Sequence, residues 1–137
     1  MSSLAVKILD KNTLRNWLLA EPRSKSLAII DVRDDDHIGG HIVGSRHHPS
    51  SSFGQNLPYL HEELRPFSTV VFHCALSQQR GPSAANMYAR YAEMIGSAPT
   101  TQSVYVLRGG FTEWQQEFGS DGRLTEAYDE KLWKLMC

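Results

Sequence analysis

The chain has 137 residues, of which 41% are hydrophobic and 21% charged, and its formal net charge is −1. This size and composition predict a single domain over residues 1–137 with its own hydrophobic core. The charge balance excludes a basic nucleic-acid surface, and no apolar run approaches the roughly 20 residues needed to cross a membrane.

The N-terminal third predicts two strands and one helix. Residues 6–9 form a short opening strand, and Asp10 or Asn12 caps the helix that follows. Residues 26–31 are a dense aliphatic run that ends in an acid, which is typical of a buried strand.

The middle of the chain predicts a long crossing and a second strand–helix unit. Residues 34–52 are rich in Asp, Gly, Pro and Ser and predict a loop-rich connection. Residues 57–64 predict a short helix, and residues 69–73 predict a strand of β-branched and aromatic residues. Pro82 suits the first turn of the next helix, because its missing N–H has no partner there anyway.

The C-terminal third predicts a third buried strand at residues 103–107, a helical turn that carries Trp114, and a closing amphipathic helix over residues 125–136. Strands that alternate with helices predict an α/β domain with a mostly parallel central sheet and helices on both faces. Ligands bind such sheets beyond the carboxyl ends of the strands.

One segment at such a strand end combines a thiol with a guanidinium. Seven residues from Cys74 to Arg80 separate the strand from the helix, and His73 precedes them. A loop of this kind can converge its backbone N–H groups on a tetrahedral oxyanion, in front of a helix N-terminus. The residues expected to bind the substrate are Ala75, Leu76, Ser77, Gln78, Gln79 and Arg80.

This loop predicts nucleophilic catalysis on phosphorus. The positive field of the loop favours the thiolate of Cys74, which would attack the phosphoryl group and form a phosphocysteine that water then hydrolyses. Arg80 would hold two oxygens of the anion through parallel hydrogen bonds, and the hydroxyl of Ser77 would hydrogen-bond the sulfur. The proton donor is left open between residues 34–36 and Glu113, with the acidic triplet interpreted as a solvated loop.

The sequence resembles the rhodanese-fold phosphatases, the group that includes the catalytic domain of the M-phase inducer (cell-division-cycle) phosphatases, and above all their very small fungal and plant members. The resemblance lies in the loop His73–Pro82 and in two further blocks. These blocks are Asp31-Val32-Arg33 with Gly40-His41-Ile42 and Gly44-Ser45, and Leu107-Arg108-Gly109-Gly110-Phe111 with Trp114. It implies a single rhodanese-like domain that hydrolyses phosphotyrosine-type or dual-specificity phosphoprotein substrates without a cofactor.

Three other functions are compatible with this resemblance. An arsenate reductase would use the same Cys-x5-Arg loop to attack arsenate, which is nearly isosteric with phosphate. A sulfurtransferase of the rhodanese family uses a six-residue loop, so the seven residues from Cys74 to Arg80 disfavour it. A phosphopeptide-binding domain without turnover would not need the thiol.

The chain departs from the larger M-phase inducer enzymes at two loop positions. Ala75 and Gln79 stand where those enzymes carry acids, so the loop offers no general acid. The long C-terminal region that grips their kinase substrates is also missing, and cyclin-dependent kinases are therefore not carried over as the substrate. Some plant relatives carry a Cys/His zinc site near their C-terminus, but only Cys137 stands there in this chain, so no metal is predicted.

Several residues are expected to support the loop. His73 is expected to hydrogen-bond the loop backbone, Asp31 to pair with Arg33, and His41 to brace the Gly-rich turn. Arg108 is expected either to attract an anionic substrate at the rim or to form a structural salt bridge.

The two cysteines, Cys74 and Cys137, indicate a reducing cytoplasmic or nuclear setting rather than a disulfide scaffold. Cys137 is interpreted either as a plain exposed thiol or as a resolving thiol for an oxidised or arsenylated Cys74. The expected partners are a phosphoprotein substrate and an inorganic oxyanion (phosphate, sulfate or arsenate) in the loop, with no nucleic acid and no membrane. The oligomeric state is left open.

Overall fold

The computed structural model describes residues 5–20, 26–96 and 102–136. Its central sheet has five parallel strands in the order β1-β6-β5-β2-β4. The strands of this sheet are β1 (Val6–Leu9), β2 (Leu27–Asp31), β4 (Arg46–His47), β5 (Thr69–His73) and β6 (Ser103–Leu107). A second, two-stranded antiparallel sheet pairs β3 (His41–Ile42) with β7 (Thr125–Glu126).

The described residues form five α-helices, of which the first four lie between strands: α1 (Lys11–Leu19), α2 (Phe53–Leu64), α3 (Arg80–Met94), α4 (Gly110–Phe118) and α5 (Glu130–Met136). A short 3₁₀ turn over Ser50–Ser52 leads into α2. Asp10 caps α1, because its carboxylate accepts the backbone N–H of Asn12 at 2.9 Å. That contact selects one of the two caps expected from the sequence.

The helices cover both faces of the sheet. On one face, Phe53 and Leu60 of α2 and Tyr88 of α3 pack in one buried cluster with the β5 side chain of Phe72. On the other, side chains from α1 and α4 share a second buried cluster, which includes Leu14, Leu18, Phe111 and Trp114. The predicted α/β domain with helices on both faces of a parallel sheet is therefore confirmed.

Two predicted elements differ from the structure. The helix expected over residues 125–136 is wrong in its first part, because β7 occupies Thr125–Glu126 and α5 begins only at Glu130. Ala127 takes a φ of 56°, a left-handed conformation that an α-helix cannot contain. The helix expected over residues 57–64 begins four residues earlier, at Phe53, whose buried ring packs against Phe72.

The carboxyl ends of the three central strands lie along one edge of the sheet. β2 pairs with β5 up to Asp31 opposite His73, and β5 pairs with β6 up to Phe72 opposite Val106. The loop that starts at Cys74 therefore lies at this edge, between the segments that follow β2 and β6. No helix within the described ranges is long and apolar enough to span a bilayer.

Candidate active site

The loop between β5 and α3 is held from behind by α4. The carbonyl of Cys74 accepts the backbone N–H of Phe111 at 3.0 Å, and the carbonyl of Ala75 accepts that of Thr112 at 2.9 Å. Because the C=O and N–H of a trans peptide point in opposite directions, the N–H groups of Ala75 and Leu76 point away from α4. At these two peptides the carbonyl oxygens thus face α4 and the N–H groups face the opposite side, the side on which an anion would bind.

The sulfur of Cys74 accepts two backbone N–H groups, one from the loop and one from the first turn of α3. The N–H of Ser77 lies 3.2 Å from Sγ and that of Gly81 lies 3.3 Å away. The predicted contact from the Ser77 hydroxyl to the sulfur is wrong, since Oγ instead accepts the backbone N–H of Cys74 at 3.4 Å. Ser77 also has a φ of 57°, a strained conformation for a non-glycine residue that turns its N–H toward the sulfur.

The turn after β6 allows α4 to approach the loop closely. Gly109 and Gly110 both have a positive φ, of 80° and 56°. A Cβ atom at Gly110 would lie 2.4 Å from the carbonyl oxygen of Ala75 and 2.5 Å from that of Cys74, both backbone atoms. Only glycine therefore lets α4 begin against the back of the loop.

We expect Gly110→Ala to lower both thermal stability and turnover, because its methyl group would push the loop backbone away from α4. Gly96→Ala is the matched control: Gly96 also has a positive φ of 66°, but a Cβ there meets nothing within 4 Å. The control should lose only about 1 kcal/mol of unfolding free energy, the cost of the left-handed conformation. The two variants are compared by thermal melts and by aryl phosphate turnover. If Gly96→Ala lost as much stability and turnover as Gly110→Ala, the proposed close contact would be contradicted.

Arg80 begins α3, and its guanidinium binds two carboxylates of the segment after β2. Asp36 accepts from Nη1 at 2.9 Å and from Nη2 at 2.6 Å, and Asp34 accepts from Nη1 at 3.2 Å. Asp34 and Asp36 are still partly exposed, as residues of a solvated acidic loop, but their ion pairs with Arg80 were not predicted from the sequence. The spacing of these residues along the chain carried no sign of this contact, which spans 44 to 46 positions.

Two donors of Arg80 remain for a ligand. A guanidinium has five N–H groups, and the two carboxylates take both on Nη1 and one on Nη2. The N–H of Nε and the second N–H of Nη2 remain. These two form one edge of the planar fork, the arrangement that binds two oxygens of a phosphoryl group side by side.

The carboxylates around Arg80 are ionised at neutral pH. Hydrogen bonds from Ser50, from the backbone of Ser51 and from Arg80 lower the pKa of Asp34 to about 2, although partial burial opposes the shift. Hydrogen bonds from Arg80 lower the pKa of Asp36, and in return Asp36 raises the pKa of Arg80. Neither acid carries a proton to donate while it is bound to this arginine.

A buried ion pair supports the segment that carries these acids. The guanidinium of Arg33 binds the carboxylate of Asp31 at 2.7 Å, and both side chains are almost fully buried. Arg33 also donates to the carbonyl of Gly40 at 2.9 Å. The expected pair between Asp31 and Arg33 is thus present. Through the Gly40 contact it also links the two ends of the segment between β2 and β3.

His73 lies beside this pair at the end of β5. Its Nδ1 is 3.0 Å from the carbonyl oxygen of Cys74, the predicted contact with the loop backbone, and its Nε2 is 3.7 Å from Asp31. Burial lowers the pKa of His73, so the ring is neutral at neutral pH. The ring then donates from Nδ1 to the carbonyl and helps to hold the loop.

The Asp31 pair predicts a specific acid dependence of stability. Burial opposes ionisation of Asp31, but the neighbouring His73 and the Arg33 fork together outweigh it and hold the pKa of Asp31 at about 2. Because the folded pKa lies below the unfolded value, this stabilisation is complete above about pH 4 and is lost as pH falls toward 2; it amounts to roughly 2 kcal/mol. The advantage of wild type over Asp31→Asn in urea unfolding should therefore shrink between pH 4 and 2. Asp35→Asn, at an exposed carboxylate, is the control, and a constant advantage across this range would contradict the assignment.

His41 lies at the far side of the same segment. Its Nε2 is 3.1 Å from Glu126, which also accepts the N–H of Gly44. These contacts join the Gly-rich turn to β7, a strand that the sequence did not predict. The rings of His37 and His47 stack at 3.8 Å beside it. Across the ranges that the structure describes, no group of three His, Cys, Asp or Glu side chains is arranged to hold a metal ion.

Two grooves flank the loop. One has a volume of about 290 Å³ and includes Phe53, Arg80 and Met87 in its walls. The other has a volume of about 360 Å³ and runs past Leu76 to Gln78 toward Arg108 and Glu113. Glu113, one of the two proton donors considered from the sequence, therefore lies beside the loop, in the groove whose walls do not include Arg80. Cys137 lies outside the described residues.

Comparison with known proteins places this geometry in a family. The family model described as the rhodanese-like domain matches residues 14–117, more than half of the chain. The chain belongs to the rhodanese-like domain family. It is 37% identical to the CDC25-like phosphatase YCH1 of Saccharomyces cerevisiae, over 94% of this chain and 95% of that protein.

Two further similarities are to proteins with two different activities. Arsenate reductase 2.2 of Oryza sativa subsp. japonica is 42% identical over 72% of this chain and 74% of its own length. A solved structure described as a yeast protein tyrosine phosphatase of the rhodanese family superposes with a TM-score of 0.82 and 35% identity, over 97% of this chain and 99% of that one. The predicted resemblance to small rhodanese-fold phosphatases and arsenate reductases is confirmed.

Proposed function

We propose that this rhodanese-family protein is a cysteine-dependent phosphatase that hydrolyses phosphotyrosine-type or dual-specificity phosphoprotein substrates. The observation that carries the proposal is the arrangement around Cys74: two backbone N–H groups on its sulfur, loop carbonyls turned away, and a free edge of Arg80 in the same seven-residue loop. The similarity to the CDC25-like phosphatase along nearly the whole chain supports it.

The mechanism follows from the positions of these groups. The phosphoryl group enters the loop, and its oxygens bind the N–H groups and the free edge of Arg80. The sulfur of Cys74 attacks phosphorus and the leaving oxygen departs with a proton, which leaves a phosphocysteine. Water then attacks this intermediate, and inorganic phosphate is released with return of the thiolate. Asp34 and Asp36 orient Arg80 during both steps.

Glu113 is the better of the two candidate proton donors, because Asp34 and Asp36 accept hydrogen bonds from Arg80. Glu113 lines a groove beside the loop, and the cation near it, Lys11, is 3.9 Å away. We expect Glu113→Gln to slow the hydrolysis of phosphotyrosine about a hundredfold. The hydrolysis of p-nitrophenyl phosphate should slow far less, because its leaving group needs little protonation. Glu117→Gln is the control, because Glu117 also forms an ion pair with Lys11 but does not line the groove. Equal effects of Glu113→Gln on the two substrates would remove it from the proton transfer.

Arsenate reduction is the second candidate, and the similarity to a rice arsenate reductase is the observation that favours it. Arsenate fits the same N–H groups and the same edge of Arg80. Cys74 would form a thiol–arsenate adduct, and an external dithiol or glutathione system would supply the two electrons that convert arsenate to arsenite. Cys137 becomes relevant in this case as a resolving thiol.

The deciding experiment measures p-nitrophenyl phosphate hydrolysis and, in parallel, arsenate reduction with glutathione and glutaredoxin, for wild type and Cys137→Ser. Hydrolysis without arsenate reduction supports the phosphatase. Arsenate reduction without appreciable hydrolysis overturns it in favour of the second candidate, and loss of that reduction in Cys137→Ser would identify the resolving thiol.

The proposal includes a phosphoprotein partner, inorganic oxyanions as product or inhibitors in the loop, no nucleic-acid partner, and a cytoplasmic or nuclear location. The location rests on the small number of cysteines in the sequence. Fractionation of cells that express a tagged chain tests it.

A further inference from the structure

The larger groove beside the loop opens directly from the candidate active site. Leu76, Ser77 and Gln78 of the loop line one side of it, and Ile8, Arg108 and Glu113 line the rest. Its volume of about 360 Å³ lies within the range of ligand sites, roughly 300–1,000 Å³. A peptide whose phosphorylated residue enters the loop must extend over a neighbouring surface, and this groove is continuous with the loop.

The groove carries exposed apolar side chains. Ile8 on the edge strand β1 is 58% exposed, and Leu76 in the middle of the loop is 47% exposed. Each lies in the groove rather than in either core cluster. Apolar side chains that remain exposed beside an active site favour contact with an apolar part of a substrate.

Arg108 provides a cation that has no partner among the described residues. It is exposed, and its backbone N–H bonds the carbonyl of Leu9 at 2.9 Å, which fixes the residue at the end of β6. Its guanidinium has neither an ion pair nor a hydrogen bond among residues 5–20, 26–96 and 102–136. By contrast, Arg46 and Arg123 are each paired with a carboxylate. The structural salt bridge considered from the sequence is absent from this part of the chain.

Glu113 does not neutralise Arg108. Its carboxylate lies 3.9 Å from Lys11, which also pairs with Glu117 at 3.1 Å. Within the described residues, the ion contact of Glu113 is thus with Lys11 and not with Arg108. The smaller groove differs in this respect, because its cation, Arg80, is bound by Asp34 and Asp36.

We propose that the groove formed by Ile8, Leu76 and Arg108 binds the peptide segment next to the phosphorylated residue, with an acidic side chain on Arg108 and an apolar contact on Ile8 and Leu76. The proposal rests on the proposed phosphatase function and names its substrate class, a phosphopeptide with an acidic neighbour. Arg108 sets the sequence preference and takes no part in the chemical step.

The experiment uses phosphotyrosine peptides that differ only in the flanking residues, which are Asp, Asn or Lys. The readouts are kcat/KM for each peptide and for p-nitrophenyl phosphate, with wild type, Arg108→Ala and Arg108→Glu. Arg90→Ala is the control, since Arg90 is an exposed arginine of α3 that lines neither groove.

Wild type should prefer the Asp peptides over the Lys peptides roughly fivefold, Arg108→Ala should remove the preference and Arg108→Glu should reverse it. Arg90→Ala should hydrolyse p-nitrophenyl phosphate as wild type does, and Arg108→Ala should lose far less activity on p-nitrophenyl phosphate than on the Asp peptides. An unchanged preference in Arg108→Ala overturns the proposal. A loss on p-nitrophenyl phosphate as large as that on the peptides also overturns it, because Arg108 would then act on the oxyanion.

Binding of the same peptides to Cys74→Ser, with and without Arg108→Ala, separates this proposal from the proposed function. If wild type hydrolyses no substrate, the phosphatase assignment fails. Calorimetry then still decides the groove: an Asp preference that disappears with Arg108→Ala supports it, and equal affinities for the Asp and Lys peptides overturn it.

Discussion

Cys74→Ser is expected to abolish phosphatase turnover, by at least roughly a thousandfold in kcat, and to retain oxyanion binding. The serine hydroxyl is a far weaker nucleophile than a thiolate at neutral pH, so the attack on phosphorus would fail. The side chain is nearly isosteric, and its oxygen can still accept the N–H groups of Ser77 and Gly81 that bind the sulfur in the wild type. The loop should therefore keep its shape.

Two measurements check this expectation. Single-turnover hydrolysis of p-nitrophenyl phosphate gives the loss in the chemical step, and calorimetry with inorganic phosphate or tungstate gives the affinity of the loop. Cys137→Ser is the matched control for the removal of a thiol, and it should retain full hydrolysis. Turnover near the wild-type rate in Cys74→Ser would show that another group attacks phosphorus.

Arg80→Ala is expected to weaken both oxyanion binding and turnover, the latter by roughly a hundredfold to a thousandfold. The variant loses the two N–H groups that remain free on the guanidinium. It also leaves Asp34 and Asp36 without their cation, and their negative charges then lie where a dianionic phosphoryl group must approach. The two effects act in the same direction.

Arg80→Lys separates charge from geometry. Lysine keeps the positive charge but cannot bind Asp36 and the oxyanion through two planar edges at once, so an intermediate loss is expected. Arg65→Ala, at an exposed arginine paired with Glu62, is the control and should behave as wild type. An Arg80→Ala variant that binds phosphate with wild-type affinity would exclude Arg80 from the anion site.

Much of the fold could be predicted because its signals are local. The β2, β5 and β6 strands are short, dense runs of aliphatic residues, and such runs indicate buried parallel strands wherever they occur. The position of the loop followed from the same signals, because Cys74 comes directly after one such strand and Pro82 lies in the first turn of the next helix. The contact between His73 and the loop backbone also concerns neighbouring residues.

Other features could not be predicted because they join distant parts of the chain. β7 exists only because Thr125 and Glu126 pair with Ile42 and His41, and no periodicity within residues 125–136 reveals that partner. The exchange of roles at Ser77, where the backbone rather than the hydroxyl bonds the sulfur, depends on a positive φ that serine rarely adopts.

The sequence by itself therefore determined the fold class, the residues of the loop and the family to which the chain is similar, because these depend on the order of residues and on local periodicity. Tertiary structure alone decided what the charged residues around the loop do. It bound Arg80 to Asp34 and Asp36 and left Arg108 unpaired within the described part of the chain. The physical reason is that an ion pair depends on distances of a few ångströms between segments that the sequence separates by tens of residues.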